Sequence, residues 1–341
     1  MKKHSFRRLG CLLPALLLLF AACAKQTPPA DETTTQAEAA AKPTVLCTLF
    51  PLYDWTRQIL GALNADVDLR LLMENGADPH AYQATAADRM AATDCELLIY
   101  VGGASDGWLE ELLPKRGEKP HVRLFDLLRD ELREEETAPG MQSDAHEHHE
   151  SERYDEHLWL SPSLAIAACD AIANTLEAAF PAHAAELQKN HAAYLSSLQV
   201  LRDQYRGAAE NAAIKSILVA DRFPFLYLTG ELGLTYYAAF EGCSAETAAS
   251  FETVRFLSEK LKAEQLPCIL ITESGDPALA QTVATAAGRD DCPVLTLHSM
   301  QRLSGKEAGN ATYFDLMCEN LTVLKTALGY GSPADKAGIL D

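Results

Sequence analysis

Histidines lie beside carboxylates in three places in the first half of the chain. His80 lies two residues after Asp78, and His157 lies two residues after Asp155. Between them, segment 144–150 holds three more histidines among acidic residues. Neutral imidazole binds borderline-soft divalent cations well, and a neighbouring carboxylate can hold the second ring nitrogen and fix its tautomer. These positions predict that the chain binds a metal.

The first residues indicate export from the cytoplasm. Four basic residues within 1–8 precede an apolar run over 9–20, and Ala21 and Ala22 precede Cys23. A basic start, a short apolar segment and small residues before a cleavage point form a secretory signal. Cys23 directly after two alanines resembles a lipobox, in which the cysteine becomes the lipidated N-terminus. We predict a signal peptide at residues 1–22 and a lipid anchor on Cys23; plain secretion is the alternative.

The next segment and the net charge narrow the partners. Residues 23–43 are predicted to be a flexible tether, because 26–42 is rich in Thr, Ala, Pro and Glu and has no apolar period. The formal net charge is −19, and removal of residues 1–22 makes it −23. This charge argues against nucleic acid or an anionic lipid surface as a partner, since both require basic patches. It suits an exported protein that attracts cations.

Nine cysteines raise the question of sulfur chemistry. Two of them precede residue 24, which leaves seven, and no C-x-x-C spacing occurs. The spacing therefore does not support a cysteine-rich zinc site or a thioredoxin-like redox pair. Five cysteines in apolar or helical patterns are expected to be small buried thiols: Cys47, Cys95, Cys169, Cys268 and Cys318. Any disulfide pairing is left open.

Strand-like apolar runs alternate with helical patterns from residue 44 onward. The predicted strands are 44–50, 67–72, 97–101, 122–124, 216–220, 235–239, 268–272 and 294–297. The predicted helices are 53–63, 86–93, 108–113, 250–264, 277–287 and 313–328. This alternation predicts parallel sheets flanked by helices.

Strong helix formers over 181–211 predict one long helix between the halves. We therefore expect an α/β fold of two lobes, 44–180 and 212–341, each with a parallel sheet flanked by helices. The connector helix over 181–211 would be about 45 Å long. A connector of this length would restrict hinge motion.

The candidate ligands share a position relative to the predicted strands. Parallel sheets bind ligands beyond the carboxyl ends of their strands. His80 comes after the second predicted strand, and Asp221, Glu273 and His298 each directly follow a strand of the second lobe. With His157, which precedes a predicted helix, these side chains are expected to converge in the cleft between the lobes.

Four motifs in order make the chain resemble the metal-binding subunit of ABC importers for zinc or manganese, a family of exported lipoproteins. They are GADPHAY at 76–82, GGASDGW at 102–108, HLWLSP at 157–162 and YFDLM at 313–317. The resemblance covers about 44–328 and implies two α/β lobes joined by one long helix, which agrees with the pattern above. It also implies that the chain is a binding protein rather than an enzyme. Such a binding protein delivers a metal to an ABC permease and its ATPase.

The resemblance implies most of a ligand set. His80 and His157 fall on the first two ligand positions of the family. His298 falls on or next to the last, where the family usually has a carboxylate. The implied location is extracytoplasmic, with the protein held to the cell membrane by its lipid.

The third ligand position departs from the family pattern. Gapless matching puts Arg222 there, and a guanidinium that stays protonated cannot coordinate a cation. Either Asp221 supplies an oxygen, with Glu273 as a further candidate, or the site has fewer protein ligands. In the alternative, Arg222 would pair with Glu273 or Asp221.

The acidic loop over 130–156 has two interpretations. Few apolar anchors favour a solvated, disordered insertion. His146, His148 and His149 within it would also form a low-affinity collector of metal, as similar loops are thought to do in zinc-uptake binding proteins. Both interpretations can hold together.

The ligand types favour Zn²⁺, because manganese sites usually carry more oxygen ligands. Mn²⁺ is the alternative, and affinity order alone would admit copper or nickel. Two other classes remain open: an adhesin-type lipoprotein whose metal is structural, and a zinc hydrolase. The sequence contains no H-E-x-x-H motif, no G-x-S-x-G motif and no glycine-rich phosphate loop, which argues against the hydrolase.

Overall fold

Two four-stranded parallel sheets form the framework, as the alternation of strands and helices predicts. The computed structural model describes residues 42–142, 154–244 and 248–330. The first sheet contains β1 (Thr44–Cys47), β2 (Asp68–Leu71), β3 (Leu97–Tyr100) and β4 (His121–Arg123), in the order β2-β1-β3-β4. The second contains β5 (Ser216–Phe223), β6 (Thr235–Glu241), β7 (Ile269–Ile271) and β8 (Val294–Thr296), in the order β6-β5-β7-β8. The predicted fold class is confirmed.

Helices cover both sheets. Those of the first lobe are α1 (Phe50–Leu60), α2 (Ala86–Asp94), α3 (Gly107–Glu110), α4 (Leu113–Arg116), α5 (Leu124–Leu127) and α6 (Pro162–Ala179). The connector is α7 (Ala184–Glu210), and the second lobe has α8 (Leu226–Leu232), α9 (Phe251–Ala263), α10 (Pro277–Ala286), α11 (Gly305–Ala308) and α12 (Tyr313–Ala327). The helix predicted over 108–113 is instead the two short helices α3 and α4, since the ring of Pro114 prevents a continuous helix there.

The connector is a 27-residue helix, about 40 Å long at 1.5 Å per residue. A 3₁₀ turn over Pro181–His183 precedes it. Asn190 donates to the carbonyl of Ile59 at the end of α1 (3.2 Å), and the hydroxyl of Tyr205 donates to the carbonyl of Met317 in α12 (2.7 Å). The helix is therefore bonded to an element of each lobe.

One hydrophobic core runs through both lobes. It contains α1, α6, α7 and α12 side chains together with one face of each sheet. Trp55 and Tyr313 meet edge to face across the lobes, with ring centroids 5.1 Å apart. Smaller clusters around Leu46 and Leu218 lie on the opposite sheet faces, as the two-residue period of a strand requires. A shared core of this kind supports the expectation of restricted hinge motion.

Several predicted features lie outside the described residues. These are the signal peptide at 1–22, Cys23, nearly all of the tether, and the loop histidines His146, His148 and His149. The seven cysteines from Cys47 onward are all free, and the predicted burial holds for four of the five named above, with Cys318 partly exposed. Within the described ranges, no single helix is long and apolar enough to cross a membrane; Pro162–Ala179 and Pro181–Glu210 meet that criterion only together, bent by 111°.

Candidate metal centre

His80 is held in a short turn at the carboxyl end of the first sheet. Pro79 opens a 3₁₀ turn over Pro79–Ala81, and Asp78 caps it by accepting the backbone N–H of His80 (3.1 Å). The Nδ1 atom of His80 lies 3.1 Å from the hydroxyl of Ser105, which follows β3. This contact occupies one ring nitrogen and leaves Nε2 available for a ligand.

His157 is completely buried and is oriented by a buried carboxylate. Asp155 Oδ1 accepts the backbone N–H of His157 (2.8 Å) and lies 3.1 Å from its Nδ1. A carboxylate can only accept, so Nδ1 carries the proton and Nε2 of the neutral ring has a free lone pair. This carboxylate–histidine arrangement is the one that orients metal-binding imidazoles in proteins.

The Nε2 atoms of the two rings face each other. The Nε2 atoms of His80 and His157 are 3.3 Å apart. Two nitrogens bound at 2.0–2.1 Å to a tetrahedral zinc ion are also about 3.3 Å apart. One donor atom each from His80, His157 and Cys243 lie within 4.8 Å of one another. This is the only such group of His, Cys, Asp and Glu in the part of the chain that the structure describes.

Charges around the two rings shift their pKa values in opposite directions. Burial lowers the pKa of His80, and the neighbouring His157 lowers it further, against the attraction of Glu156 and Asp78. Burial also acts against protonation of His157, but Asp155 outweighs this and raises the pKa of His157. A cation at the centre therefore competes with protons mainly at His157.

Glycine allows the acidic group of Glu156 to approach the site. Glu156 Oε1 accepts the backbone N–H of Ser105 (2.8 Å), and Oε2 is 3.9 Å from Nδ1 of His80. A Cβ atom on Gly103 would lie only 2.4 Å from Oε1 of Glu156. Gly103, the second glycine of the GGASDGW motif, is therefore required for this contact.

Arg222 forms an ion pair between the lobes. Its Nη2 lies 2.9 Å from Oδ2 of Asp78, and Nη1 donates to the carbonyl of Ser244 (3.4 Å). Burial alone would raise the pKa of Asp78, but Arg222 lowers it overall. The expectation that the guanidinium pairs with Glu273 or Asp221 is wrong. Arg222 instead supports the aspartate that caps the His80 turn.

Asp221 has its oxygens engaged within the second lobe. It lies where the β5 register shifts, between Val219 and Arg222. Its Oδ2 accepts from the N–H of Thr272 (3.0 Å) and from the Thr272 hydroxyl, and its Oδ1 accepts from the N–H of Arg222 (2.8 Å). Asp221 lines one cavity with His80, but it is not among the donor atoms that lie within 4.8 Å of one another in the described residues.

His298 and Glu273 also lie apart from the converging group. The backbone of His298 exchanges two hydrogen bonds with the Asn320 side chain (2.7 and 2.8 Å). Its Nε2 is 3.9 Å from Oε2 of Glu319. Glu273 accepts from the N–H and the hydroxyl of Ser299, both at 2.7 Å. These contacts hold the loop after β8 in place.

Cys243 is the residue that sequence reasoning missed. In the structure only Gly242 separates it from β6, whereas the predicted strand 235–239 ends four residues before it, so the strand-end criterion did not single it out. Burial raises the pKa of its thiol, and nearby carboxylates raise it further.

Comparison with known proteins gives a consistent picture. The family model described as ZnuA, zinc-uptake complex component A periplasmic, matches residues 45–327. The chain is 29% identical over 332 residues to the zinc-binding lipoprotein AdcA of Streptococcus pneumoniae, covering 96% of this chain and 62% of AdcA. It is 27% identical over 326 residues to the high-affinity zinc uptake system protein ZnuA of Bacillus subtilis, covering 93% and 96% of the two chains.

The fold is similar to solved structures of the same kind. The Zn(II)-bound ZnuA-like domain of Streptococcus pneumoniae AdcA superposes with a TM-score of 0.66 at 25% identity, covering 84% of this chain and 99% of that domain. The chain spans less than two thirds of the length of AdcA itself. Because the family model covers most of the sequence, the chain belongs to the ZnuA family, the periplasmic component A of zinc-uptake complexes.

Proposed function

We propose that this protein captures one zinc ion with His80 and His157 in the cleft between its lobes and delivers it to an ABC permease and its ATPase. The observation that carries the proposal is the 3.3 Å separation of two Nε2 atoms. The Nδ1 atom of each ring already has a partner, Ser105 for His80 and Asp155 for His157. A cation between the rings is the partner that suits both lone pairs.

The surroundings support binding of a cargo ion. A cavity of about 280 Å³ reaches His80 and has walls from both lobes, including Asp78 from the first and Asp221 and Arg222 from the second, whereas the buried His157 is not among its lining residues. Imidazole ligands favour zinc over manganese, which prefers oxygen. The relatives AdcA and ZnuA are named as zinc-binding and zinc-uptake proteins.

The first residues and the relatives support a proposal for the location of the protein. We propose export by the signal at 1–22, anchoring through a lipid on Cys23, and a tether over 23–43 that leads to the lobes. The relative AdcA is named as a lipoprotein. Mass spectrometry of membrane-extracted protein is expected to find acyl groups on Cys23 and no residue before it. A soluble form with another N-terminus contradicts the anchor and leaves the metal site untouched.

Calorimetry on the metal-stripped protein from Cys23 onward tests the central proposal. The wild type is expected to show one tight zinc site. His80→Ala with His157→Ala removes two ligands and should weaken that site far more than tenfold, a loss of more than about 1.4 kcal/mol. His191→Ala is the matched control, because its ring pairs with Asp170 (3.0 Å) outside the centre. A tight site that survives the double substitution contradicts the proposal.

The same titration settles the other predicted ligands. His298 and Asp221 stay predictions, and His298→Ala and Asp221→Ala should each cost at least about tenfold in affinity if they bind the ion. The low-affinity collector over His146, His148 and His149 also stays a prediction. Its removal should abolish weak binding events and leave the tight site unchanged.

A further inference from the structure

We propose that Cys243 supplies a thiolate as the third protein ligand of the centre and thereby favours zinc over manganese. This inference rests on the proposed function and adds a ligand from the second lobe. Zinc would then be held by His80 and His157 from one lobe and by Cys243 from the other. As the zinc–sulfur bond forms, the thiol proton leaves to solvent.

The distances allow this ligand set. The donor atoms of His80, His157 and Cys243 lie within 4.8 Å of one another. A tetrahedral zinc ion holds its nitrogen and sulfur ligands about 3.5 Å apart, so an approach of at most about 1.3 Å completes the geometry. The fully buried ring of His157 points its free nitrogen into the same space. The cysteine is therefore part of a converging group rather than an isolated thiol.

Two separate features hold the cysteine in this position. The backbone N–H of Cys243 donates to Oε1 of Glu135, which comes from the first lobe (2.8 Å). A Cβ atom on Gly242 would lie 2.8 Å from the carbonyl oxygen of Phe223 and 3.2 Å from Cε1 of His157. Only glycine lets the turn after β6 approach the histidine this closely. The fit of the turn thus depends on both lobes.

Arg222, which replaces the third ligand of the family, lies close to Cys243. Arg222 cannot coordinate a cation, and its guanidinium is bonded to Asp78 and to the carbonyl of Ser244, next to Cys243. Arg222, which stands where the family has a nitrogen or oxygen ligand, therefore contacts the turn that carries the Cys243 thiol.

Ligand chemistry gives the consequence for selectivity. Thiolate is a soft ligand that suits zinc, whereas manganese prefers carboxylate, carbonyl and water oxygens. Two histidines and one cysteine are therefore expected to favour zinc over manganese more strongly than the two histidines alone. Cys243 becomes a residue that determines specificity as well as affinity.

X-ray absorption of the zinc-loaded wild-type protein tests the proposal without any substitution. We expect one sulfur neighbour at about 2.3 Å together with nitrogen neighbours at 2.0–2.1 Å. Cys243→Ser should lose the sulfur neighbour, and Cys318→Ser, which changes a partly exposed cysteine of α12, should keep it. Circular dichroism confirms that each variant is folded, and Cys243→Ala replaces the serine variant if it is not.

Competition between metals provides the second measurement. Cys243→Ser should weaken zinc at least about tenfold, and should change manganese affinity by less than about threefold, because serine still offers oxygen. Tight zinc binding in the wild type with nitrogen neighbours and no sulfur overturns the cysteine proposal and leaves the proposed function standing. A wild type that binds no zinc tightly overturns both.

Discussion

At the scale of single residues, the two histidines differ in what orients them. His157 is fixed by the buried carboxylate of Asp155, whereas His80 relies on the hydroxyl of Ser105. A negatively charged partner increases the basicity of an imidazole ligand and fixes its tautomer. Asp155 is therefore expected to contribute to zinc affinity without touching the ion.

Replacement of Asp155 by asparagine tests this role. Asp155→Asn keeps the size of the side chain and removes its charge, so zinc affinity should fall about 10- to 100-fold. Calorimetry measures the change. Asp170→Asn is the matched control, since it alters the carboxylate beside His191 in the same way but outside the centre. Equal affinities for the Asp155 and Asp170 variants would show that the carboxylate does not orient a ligand.

The sequence predicts the two histidines of the candidate site but not the cysteine. His80 and His157 lie in short motifs whose local turns position them, so they could be found without the fold. The contribution of Cys243 depends on contacts from distant segments, with Glu135 and with His157. No local pattern encodes such contacts. The partner of Arg222 was missed for the same reason.

At the scale of elements, strand and helix positions were predictable and their ends were less so. The predicted strand 216–220 continues to Phe223, because the register shift between Val219 and Arg222 lets β5 keep pairing with β6. Asp221 lies in that irregular stretch and bonds Thr272 at the end of β7. A shift of register depends on the partner strand and cannot be read from one strand alone.

The end of β3 carries a buried carboxyl group with a clear effect on stability. Asp106 Oδ2 accepts the N–H groups of Val101 (2.8 Å) and Gly102 (3.1 Å). Burial, with a smaller contribution from the neighbouring Glu156 carboxylate, raises the pKa of Asp106 to about 7. In the unfolded chain the pKa is about 3.9. Between these values the folded state holds a proton that the unfolded state has lost, so stability falls as the pH rises.

Asp106→Asn should remove this pH dependence, because the amide still accepts both hydrogen bonds and carries no charge. The unfolding free energy of the variant relative to the wild type should increase from about pH 4 to about pH 7, by up to about 1.4 kcal/mol per pH unit. Urea unfolding of metal-stripped protein at each pH measures it. Asp126→Asn, at a half-exposed position, should follow the wild type. A difference that is constant with pH would contradict the assignment.

At the scale of the whole molecule, the two lobes and the long connector were predicted, but their shared core was not. α1 of the first lobe packs against α12, the last helix in the described residues. Buried Asp54 accepts the N–H of Tyr313 (2.7 Å) and pairs with Arg57, which donates to the carbonyls of Ala308 and Ala311. Segments more than 250 residues apart form this junction, so spacing along the chain gives no sign of it.

Removal of the Asp54 carboxylate should weaken the whole fold. Asp54→Ala leaves the Tyr313 N–H without its acceptor and removes the carboxylate that pairs with Arg57, and breaking a buried pair in this way costs about 3–5 kcal/mol. Denaturant unfolding measures the loss. Asp203→Ala, on the exposed face of α7, should change stability by no more than about 0.5 kcal/mol. A loss below about 1 kcal/mol for Asp54→Ala would mean that the junction does not join the lobes.

Anomalous diffraction at the zinc edge from crystals of the zinc-loaded protein tests the central claim most directly. The account predicts the strongest anomalous peak in the cleft, about 2.0–2.1 Å from Nε2 of both His80 and His157. A strongest peak elsewhere, for example beside His298 or Asp221 with no density between the two imidazoles, would contradict it.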